Sequence, residues 1–420
     1  MQQSLESLQI ERLKSLLSEV IPHNRFYTAK FAEVDLESLQ SIADLGKLPV
    51  TTKSELLADQ QTHPPYGTNL TYPLDRYCRP YQTSGTTTGR PLRWLETPQS
   101  WQWTLDCWKE IYRIVRIEKG IDRLFFPFSF GPFLGFWTAW EAATQEGYWC
   151  IPGGGMSSAA RLRVLSDHGA TVLLCTPTYA IHLAEVATQE GMNLASGSVR
   201  ALIVAGEPGG SIPSTRSCIE KAWGARVFDH SGMTEIGPTA VECPENPAGL
   251  HILESEYLAE VVDPESLQPV EPGTEGELIL TNLGRLGSPL IRYRTGDLVC
   301  VDPEPCPCGR RTKRLKGGIL GRADDMIHLR GNNVHPSALE AILRRFAEVA
   351  EFRLELDQRP ALAKLCIEIE VCENCDGEDL TKRVDQSIRD ELLFRAEIKI
   401  VAPGTLPRYE MKAKRFSRRK

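Results

Sequence analysis

Three short runs with hardly a polar residue, 171–175 (TVLLC), 201–205 (ALIVA) and 226–228 (RVF), are separated by helical patterns at 180–190 and 214–223. Apolar runs of that length read as strands buried on both faces, and strand–helix–strand order builds an α/β layered fold with largely parallel sheets. The character changes over 258–298, where EVVDPESLQPV, EPGTEGELILT and SPLIRYRTGDL are set apart by Gly and Pro turns and read as β-rich. A smaller α+β unit is expected from residue 325, with a helix over 336–346, a strand over 365–371 and a helix over 380–394. Residues 1–56 are helical and polar, ending in the turn 47–51. The expected organisation is a large domain over 1–323, with its β-rich part at 243–312, and a small domain over 324–420; no tandem repeat is visible.

The net charge of −7 gives no electrostatic reason to expect nucleic acid or an anionic membrane as partner. The one basic run, 412–420, reads as a solvated terminus in which only the first lysine matters. No apolar run is long enough to span a bilayer: the nearest, 124–140, is broken by Pro127, Gly131, Pro132 and Gly135. The N-terminal MQQSLESLQIERLKSLL mixes acids and bases on an amphipathic pattern, unlike a signal peptide, so the cytoplasm is expected. The twelve cysteines are then mostly reduced thiols.

Against this frame the stretch Thr83-Ser84-Gly85-Thr86-Thr87-Thr88-Gly89-Arg90-Pro91 is anomalous, with five hydroxyls and two glycines between a strand-like 75–82 and an apolar 91–95. A flexible linker has no use for a run of threonines. Glycines let backbone N–H groups converge on an anion and hydroxyls add donors, so the loop reads as a phosphate cradle. It is not the Walker loop, because Gly89 is followed by Arg90 rather than lysine. Four further stretches carry chemistry. Asp229-His230-Ser231-Gly232-Met233-Thr234-Glu235 ends with a hydroxyl beside a carboxylate, a pair suited to Mg²⁺ and a phosphate oxygen. Arg292-Tyr293-Arg294-Thr295-Gly296-Asp297 places an acid after a turn glycine, where it can accept from a ribose diol. Gly321-Arg322-Ala323-Asp324-Asp325 is a charged turn at the expected domain boundary, and Pro407-Arg408-Tyr409-Glu410-Met411-Lys412-Ala413-Lys414 sets a lysine near the end of the chain.

In this order, from residue 47 to 414, these motifs resemble the adenylate-forming superfamily of acyl-CoA synthetases, and most closely its phenylacetate-CoA ligase branch. Ala205-Gly206-Glu207-Pro208, Gly249-Leu250-His251, Pro289-Leu290-Ile291-Arg292-Tyr293 and Cys306-Pro307-Cys308-Gly309-Arg310 point to the same branch. The resemblance implies a large N-terminal domain, a small mobile C-terminal domain and an active site between them. It implies that Thr83 to Gly89 hold the β- and γ-phosphates of ATP and that Gly206, Glu207 and Pro208 line the adenine. Asp229, His230, Ser231 and Gly232 would belong to the nucleotide site, Thr234 would contact the α-phosphate and Glu235 would hold Mg²⁺. Asp297 would bind the ribose hydroxyls, Arg322 would lie near ribose or phosphate, Asp324 would be the hinge, and Lys412 would stabilise charge during adenylation. A carboxylate then attacks the α-phosphorus of ATP, pyrophosphate leaves, and a thiol takes the acyl group.

The chain departs from the branch in places. Ser231 stands where an aromatic usually packs on the adenine, with His230 as a substitute, and Met411 stands where a glycine usually precedes the lysine, which keeps Lys414 open as an alternative to Lys412. The segment 125–140, with Phe130, Phe133, Gly135 and Phe136, falls where the branch builds its acyl pocket, so a flat aromatic acid is expected beside plain core packing. The acceptor is expected to be coenzyme A, with a carrier-protein arm or an amine as the other enzyme reading and a nucleotide-binding regulator without turnover as the non-enzyme one. A homodimer fits the branch.

Cys306 and Cys308 form a tight C-x-C, and Cys243 and His251 lie in another loop. Three thiolates and an imidazole suit a structural Zn²⁺, but the sequence does not tell whether the two loops meet, and reduced thiols are the other reading. Cys372 and Cys375 have redox spacing without the expected context, so ordinary thiols are the better reading. His168 reads as a helix C-terminal residue, His328 and His335 as surface residues, and the 101–108 tryptophans as a buried helix face.

Overall fold

The computed structural model describes residues 4–83, 91–132, 134–329, 332–359, 364–372, 375–410 and 412–419. The chain is α/β and divides into two compact units, residues 1–155 with 228–318 and residues 156–227 with 319–420.

In the first unit, the N-terminal helices Leu5–Val20 and Arg25–Lys30 bury Leu13, Leu16, Leu17, Val20 and Tyr27 against Leu258, Leu283 and Ile291. The antiparallel strands Arg79–Gln82 and Arg93–Glu96 flank the threonine loop. The first of them starts at Arg79, because Leu74–Arg76 closes into a short 3-10 turn instead of extending as 75–82 suggested. Helix Pro98–Ile114 begins on Thr97, whose hydroxyl accepts from Ser100 N, with Pro98 at the first helical position. Its buried face includes Trp101, Trp108, Ile111 and Tyr112, the core role expected of the tryptophans, while Trp103 is half-buried and donates from Nε1 to Glu256 Oε2 (2.7 Å). Strands Arg123–Phe126 and Trp149–Pro152 run parallel, joined through helix Gly135–Glu146.

Past residue 228 the pairing turns antiparallel: Arg226–Met233, Gly237–Cys243, Asn246–Ile252 and Arg314–Lys316 are successive neighbours. A second antiparallel sheet, Tyr257–Val262, Glu275–Asn282 and Tyr293–Cys300, is the β-rich part.

In the second unit, strands Val172–Cys175 and Ala201–Ala205 run parallel and are buried throughout, as their composition requires. Helices Ser158–Asp167, Pro177–Gln189 and Pro213–Trp223 accompany them, and His168 caps the first at its C-terminus. The C-terminal part carries helices Pro336–Leu343 and Gly377–Leu392 on a sheet ordered Glu397–Val401, Lys364–Val371, Val349–Asp357, Phe416–Arg419. Its core, including Ile327, Leu339, Phe352, Ile367, Val384 and Ile388, is its own. Among the described residues no helix is long and apolar enough to cross a membrane.

Candidate active site

The threonine loop is pinned at its base: Thr83 N donates to Leu92 O (2.9 Å) and Leu92 N to Thr83 Oγ1 (3.0 Å). Ser84, Gly85, Thr86, Thr87, Thr88 and Gly89 lie outside the described residues. One residue before Thr83, Gln82 N donates to Pro132 O (2.8 Å), which ties the loop to the aromatic segment. There Phe130 packs on Trp137 (ring centroids 4.5 Å), Trp140 (5.6 Å) and Phe128 (5.5 Å). Gly135 opens the following helix; Phe133 and the side chain of Phe136 lie outside what is described.

The motif's first five residues, Asp229 to Met233, continue the strand that begins at Arg226. Strand Arg226–Met233 buries Asp229 and His230 and leaves Ser231 half-covered, and Gly232 passes so close to Gly237 and Pro238 that a Cβ would meet Gly237 O at 2.9 Å. Thr234 and Glu235 form the turn into Gly237–Cys243. His230 Nδ1 donates to Ala240 O (2.8 Å), and the ring packs on Trp108 (4.6 Å between rings). It is a buried ring in a strand whose residues 227–230 are all buried.

Burial also pushes the His230 pKa down to about 4, so the imidazole is neutral in the native state. The unfolded chain therefore binds the extra proton between that value and the ordinary histidine range, and stability falls as pH drops through this window. The midpoint of urea unfolding is expected to fall from pH 7 to pH 5, and His230→Gln, less stable at pH 7, to lose less over the same interval. Equal slopes would reject the assignment.

Glu235 is 5% exposed, and its Oε1 accepts from Lys53 Nζ (3.1 Å) and Tyr293 OH (3.1 Å). Lys53 arrives at the start of helix Lys53–Thr62 because Thr51 pairs with Arg292 and Tyr293, Thr51 N donating to Arg292 O (2.8 Å). Beneath the turn lies Arg285, fully buried, whose Nη1 donates to Thr234 O (3.1 Å) and Glu235 O (2.6 Å) while Nη2 is ion-paired with the equally buried Glu96. Trp94 covers the guanidinium at 5.3 Å. Burial pushes the Glu96 carboxyl up and Arg285 opposes that shift. The sequence reading missed Lys53, Arg285 and Glu96; an arginine among glycines and leucines in TNLGRLGSPL was the one available signal.

Asp297, 6% exposed, lies on strand Tyr293–Cys300 just after Gly296, which adopts φ +73° at an irregularity in the pairing with Glu275–Asn282. Such a bulge re-aims the next side chain. Thr295 Oγ1 accepts from Asp297 N (3.0 Å) and donates to Leu278 O (2.7 Å), and Glu277 Oε1 accepts from Gly296 N (3.2 Å).

In the second unit, Gly206 leaves the strand Ala201–Ala205 at φ +96°, and Glu207 and Pro208 follow in the bend. Glu207 joins two backbones: Oε1 accepts from Thr178 N (2.9 Å) at the start of helix Pro177–Gln189, and Oε2 from Ala413 N (2.7 Å) beside Lys412. The same terminal segment is anchored by Arg415, which holds Glu351 through Nε (2.7 Å) and Nη2 (2.9 Å) and Thr178 Oγ1 through Nη1 (2.9 Å). Lys412 and Lys414 are both exposed. Arg322 Nε donates to Asp324 Oδ1 (3.1 Å) across the turn Ala323–Asp325, and Arg418 Nη2 donates to Asp324 O (3.0 Å).

Cys243, His251, Cys306 and Cys308 come together, their ligating atoms all within 4.8 Å of one another. Cys243 ends strand Gly237–Cys243 and His251 lies on the neighbouring strand Asn246–Ile252. The cysteine pair is brought over because Arg314, beyond it in the chain, pairs with His251 and its guanidinium donates to Asn246 O (3.2 Å) and Pro247 O (2.9 Å).

Residues 34–284 match the family model described as AMP-binding enzyme and residues 331–420 the one described as AMP-binding enzyme C-terminal domain. The chain belongs to this adenylate-forming family, and within it is an acid–thiol ligase of the AMP-forming acyl-CoA synthetase kind. It is similar to the phenylacetate-coenzyme A ligases of Escherichia coli (31% identical, over 97% of this chain and 93% of that protein) and Thermus thermophilus (30% identical, over 97% and 95%). A solved structure of 2-hydroxyisobutyryl-CoA ligase in the postadenylation state with R3-HIB-AMP matches with a TM-score of 0.92 at 29% identity, covering 98% of this chain and 89% of that one.

Proposed function

We propose that this ligase adenylates an aromatic, phenylacetate-like acid and passes the acyl group to coenzyme A, releasing pyrophosphate and AMP. The observation that carries the choice of acid is the ring cluster of Phe128, Phe130, Trp137 and Trp140, hydrogen-bonded through Pro132 to the strand that leads into the threonine loop. Flat rings that meet edge to face suit an aromatic acyl group. The similarity to phenylacetate-coenzyme A ligases favours the same acid class, while the match to a 2-hydroxyisobutyryl-CoA ligase makes a small branched acid the alternative to test.

In this reading residues 83–89 hold the β- and γ-phosphates, Gly206, Glu207 and Pro208 border the adenine, and Asp297 accepts from the ribose diol. Asp229, Ser231 and Gly232 shape the nucleotide side of the turn that presents Thr234 to the α-phosphate. The hard oxygens of Glu235, already facing a cation in Lys53, fit Mg²⁺, which when bound draws negative charge from the triphosphate. The acid's carboxylate oxygen attacks the α-phosphorus and the bond to pyrophosphate breaks. During this attack Lys412 stabilises the charge that builds on carboxylate and phosphate. In the second step the thiol sulfur attacks the acyl carbon, losing its proton, and AMP leaves. We place the domain boundary between residues 323 and 324, with Asp324 as hinge and Arg322 beside the ribose or phosphate. None of the twelve cysteines is disulfide-bonded, in keeping with a cytoplasmic enzyme.

Pyrophosphate release with MgATP across phenylacetate, benzoate, 2-hydroxyisobutyrate and fatty acids, with and without CoA, tests this. Release with aryl acids at least about tenfold faster than with the others, an energy difference of roughly 1.4 kcal/mol, and AMP turnover that needs CoA are expected. Preference for the branched acid would overturn the aromatic assignment, and turnover indifferent to CoA would overturn the acceptor.

A further inference from the structure

We infer that Cys243, His251, Cys306 and Cys308 form a closed, four-coordinate zinc site that clamps the strands of the nucleotide-handling motifs at their far ends. A tetrahedron with zinc–sulfur bonds of about 2.3 Å and a zinc–nitrogen bond of about 2.0 Å has edges of about 3.8 Å between sulfurs and about 3.5 Å between sulfur and nitrogen. The cluster shows Cys243 Sγ 3.6 Å from Cys306 Sγ and Cys308 Sγ 3.5 Å from His251 Nε2. These are the edges of a metal site, and the sulfur pair is far beyond a disulfide bond of about 2.0 Å.

The surroundings support the same reading. His251 Nδ1 lies 3.1 Å from Thr312 Oγ1, a partner that holds the ring with Nε2 facing the sulfurs, as outer contacts of metal-binding histidines do. Cys243, His251 and Cys306 are buried and Cys308 is half-buried, so the centre is shielded. Gly309, at φ +77°, closes the loop by donating from its N–H to Cys306 O (3.0 Å), which presents both cysteine sulfurs from one turn.

With four protein ligands no position is left for substrate, so the role is structural. Strand Gly237–Cys243 runs from the Thr234–Glu235 turn to the first ligand, roughly 20 Å of extended chain at about 3.3 Å per residue. Strand Tyr293–Cys300, which carries Asp297, leads into the loop of Cys306 and Cys308. A metal here fastens the ends of both. The site itself does not depend on which acid or acceptor the enzyme uses. Binding releases the thiol protons, since the thiolates are the ligands.

The test is metal analysis of full-length protein purified without chelator, followed by Co²⁺ replacement and by Cys308→Ser and Cys308→Asp variants. Stoichiometric zinc is expected. The Co²⁺ form should show the strong red d–d bands and sulfur-to-metal charge transfer of a tetrahedral thiolate site. Chelator should lower the thermal midpoint by several degrees, with recovery on Zn²⁺ and not on Mg²⁺. Cys308→Ser should surrender zinc to a competing chelator at least tenfold more readily than wild type, and Cys308→Asp should restore part of the retention. Substoichiometric zinc with all four residues unmodified, a Cys243–Cys306 disulfide by mass spectrometry, or an octahedral Co²⁺ spectrum would each overturn the site. Because the metal content of the wild-type protein is read first, a variant that fails to fold does not shelter the proposal.

Discussion

Replacing Lys412 with alanine should reduce acid-dependent pyrophosphate release by about a hundredfold to a thousandfold, the range for deleting one group that meets transition-state charge. Thioester formation from acyl-adenylate supplied directly should stay within about threefold of wild type, because the proposed role of Lys412 is confined to the first step. The structure makes this a clean substitution. Lys412 is exposed, while the segment around it is held by other groups: Ala413 N donates to Glu207, and Arg415 grips Glu351 and Thr178. Alanine at 412 removes a cation without loosening those anchors. Lys414, also exposed, serves as the control, since its backbone oxygen accepts from Tyr409 OH (3.0 Å) and this contact survives truncation of the side chain. If Lys414→Ala lost adenylation and Lys412→Ala kept it, the roles would be exchanged. If both kept it, neither lysine would be the adenylating cation.

Much of the fold was written in local pattern. Ala201–Ala205 is a strand over the residues its composition indicated, and Lys364–Val371 and Pro213–Trp223 each depart from expectation by one residue at the start. Such runs are long and uniform enough for burial to decide them. The Asp229–Glu235 motif was harder, because Asp, Ser and Gly are turn residues by propensity, yet the backbone pairs with Gly237–Cys243 and continues as a strand through Met233. Tertiary pairing overrode propensity there. The cluster of Cys243, His251, Cys306 and Cys308 shows the opposite limit. Its four residues were named from composition, but their meeting depends on Arg314–Lys316 pairing with Asn246–Ile252, a contact across more than sixty residues that no local pattern encodes.

Arg285 is the residue that local pattern hid most completely, and it carries the other large expected effect. Arg285→Met strands the buried Glu96, and breaking a buried pair from one side costs roughly 3–5 kcal/mol, which should appear as a lowered urea midpoint. The pair is not ideal to begin with, since Glu96 Oε2 and Arg285 Nε find no hydrogen-bond partner among the described residues. Replacing both ends, Arg285→Met with Glu96→Leu, should therefore recover most of that stability, because an apolar pair of similar volume is tolerated where a lone charge is not. Function should not recover with it. Arg285 also donates to the carbonyl oxygens of Thr234 and Glu235, and neither methionine nor leucine can replace those donors. The double variant should thus fold with near wild-type stability and still need about 10–100-fold more Mg²⁺ for half-maximal pyrophosphate release, the scale on which outer contacts tune a metal ligand. A double variant that regained both stability and Mg²⁺ response would show that Arg285 only neutralises Glu96. Lost Mg²⁺ response at restored stability would make it the residue that aims the Thr234–Glu235 turn.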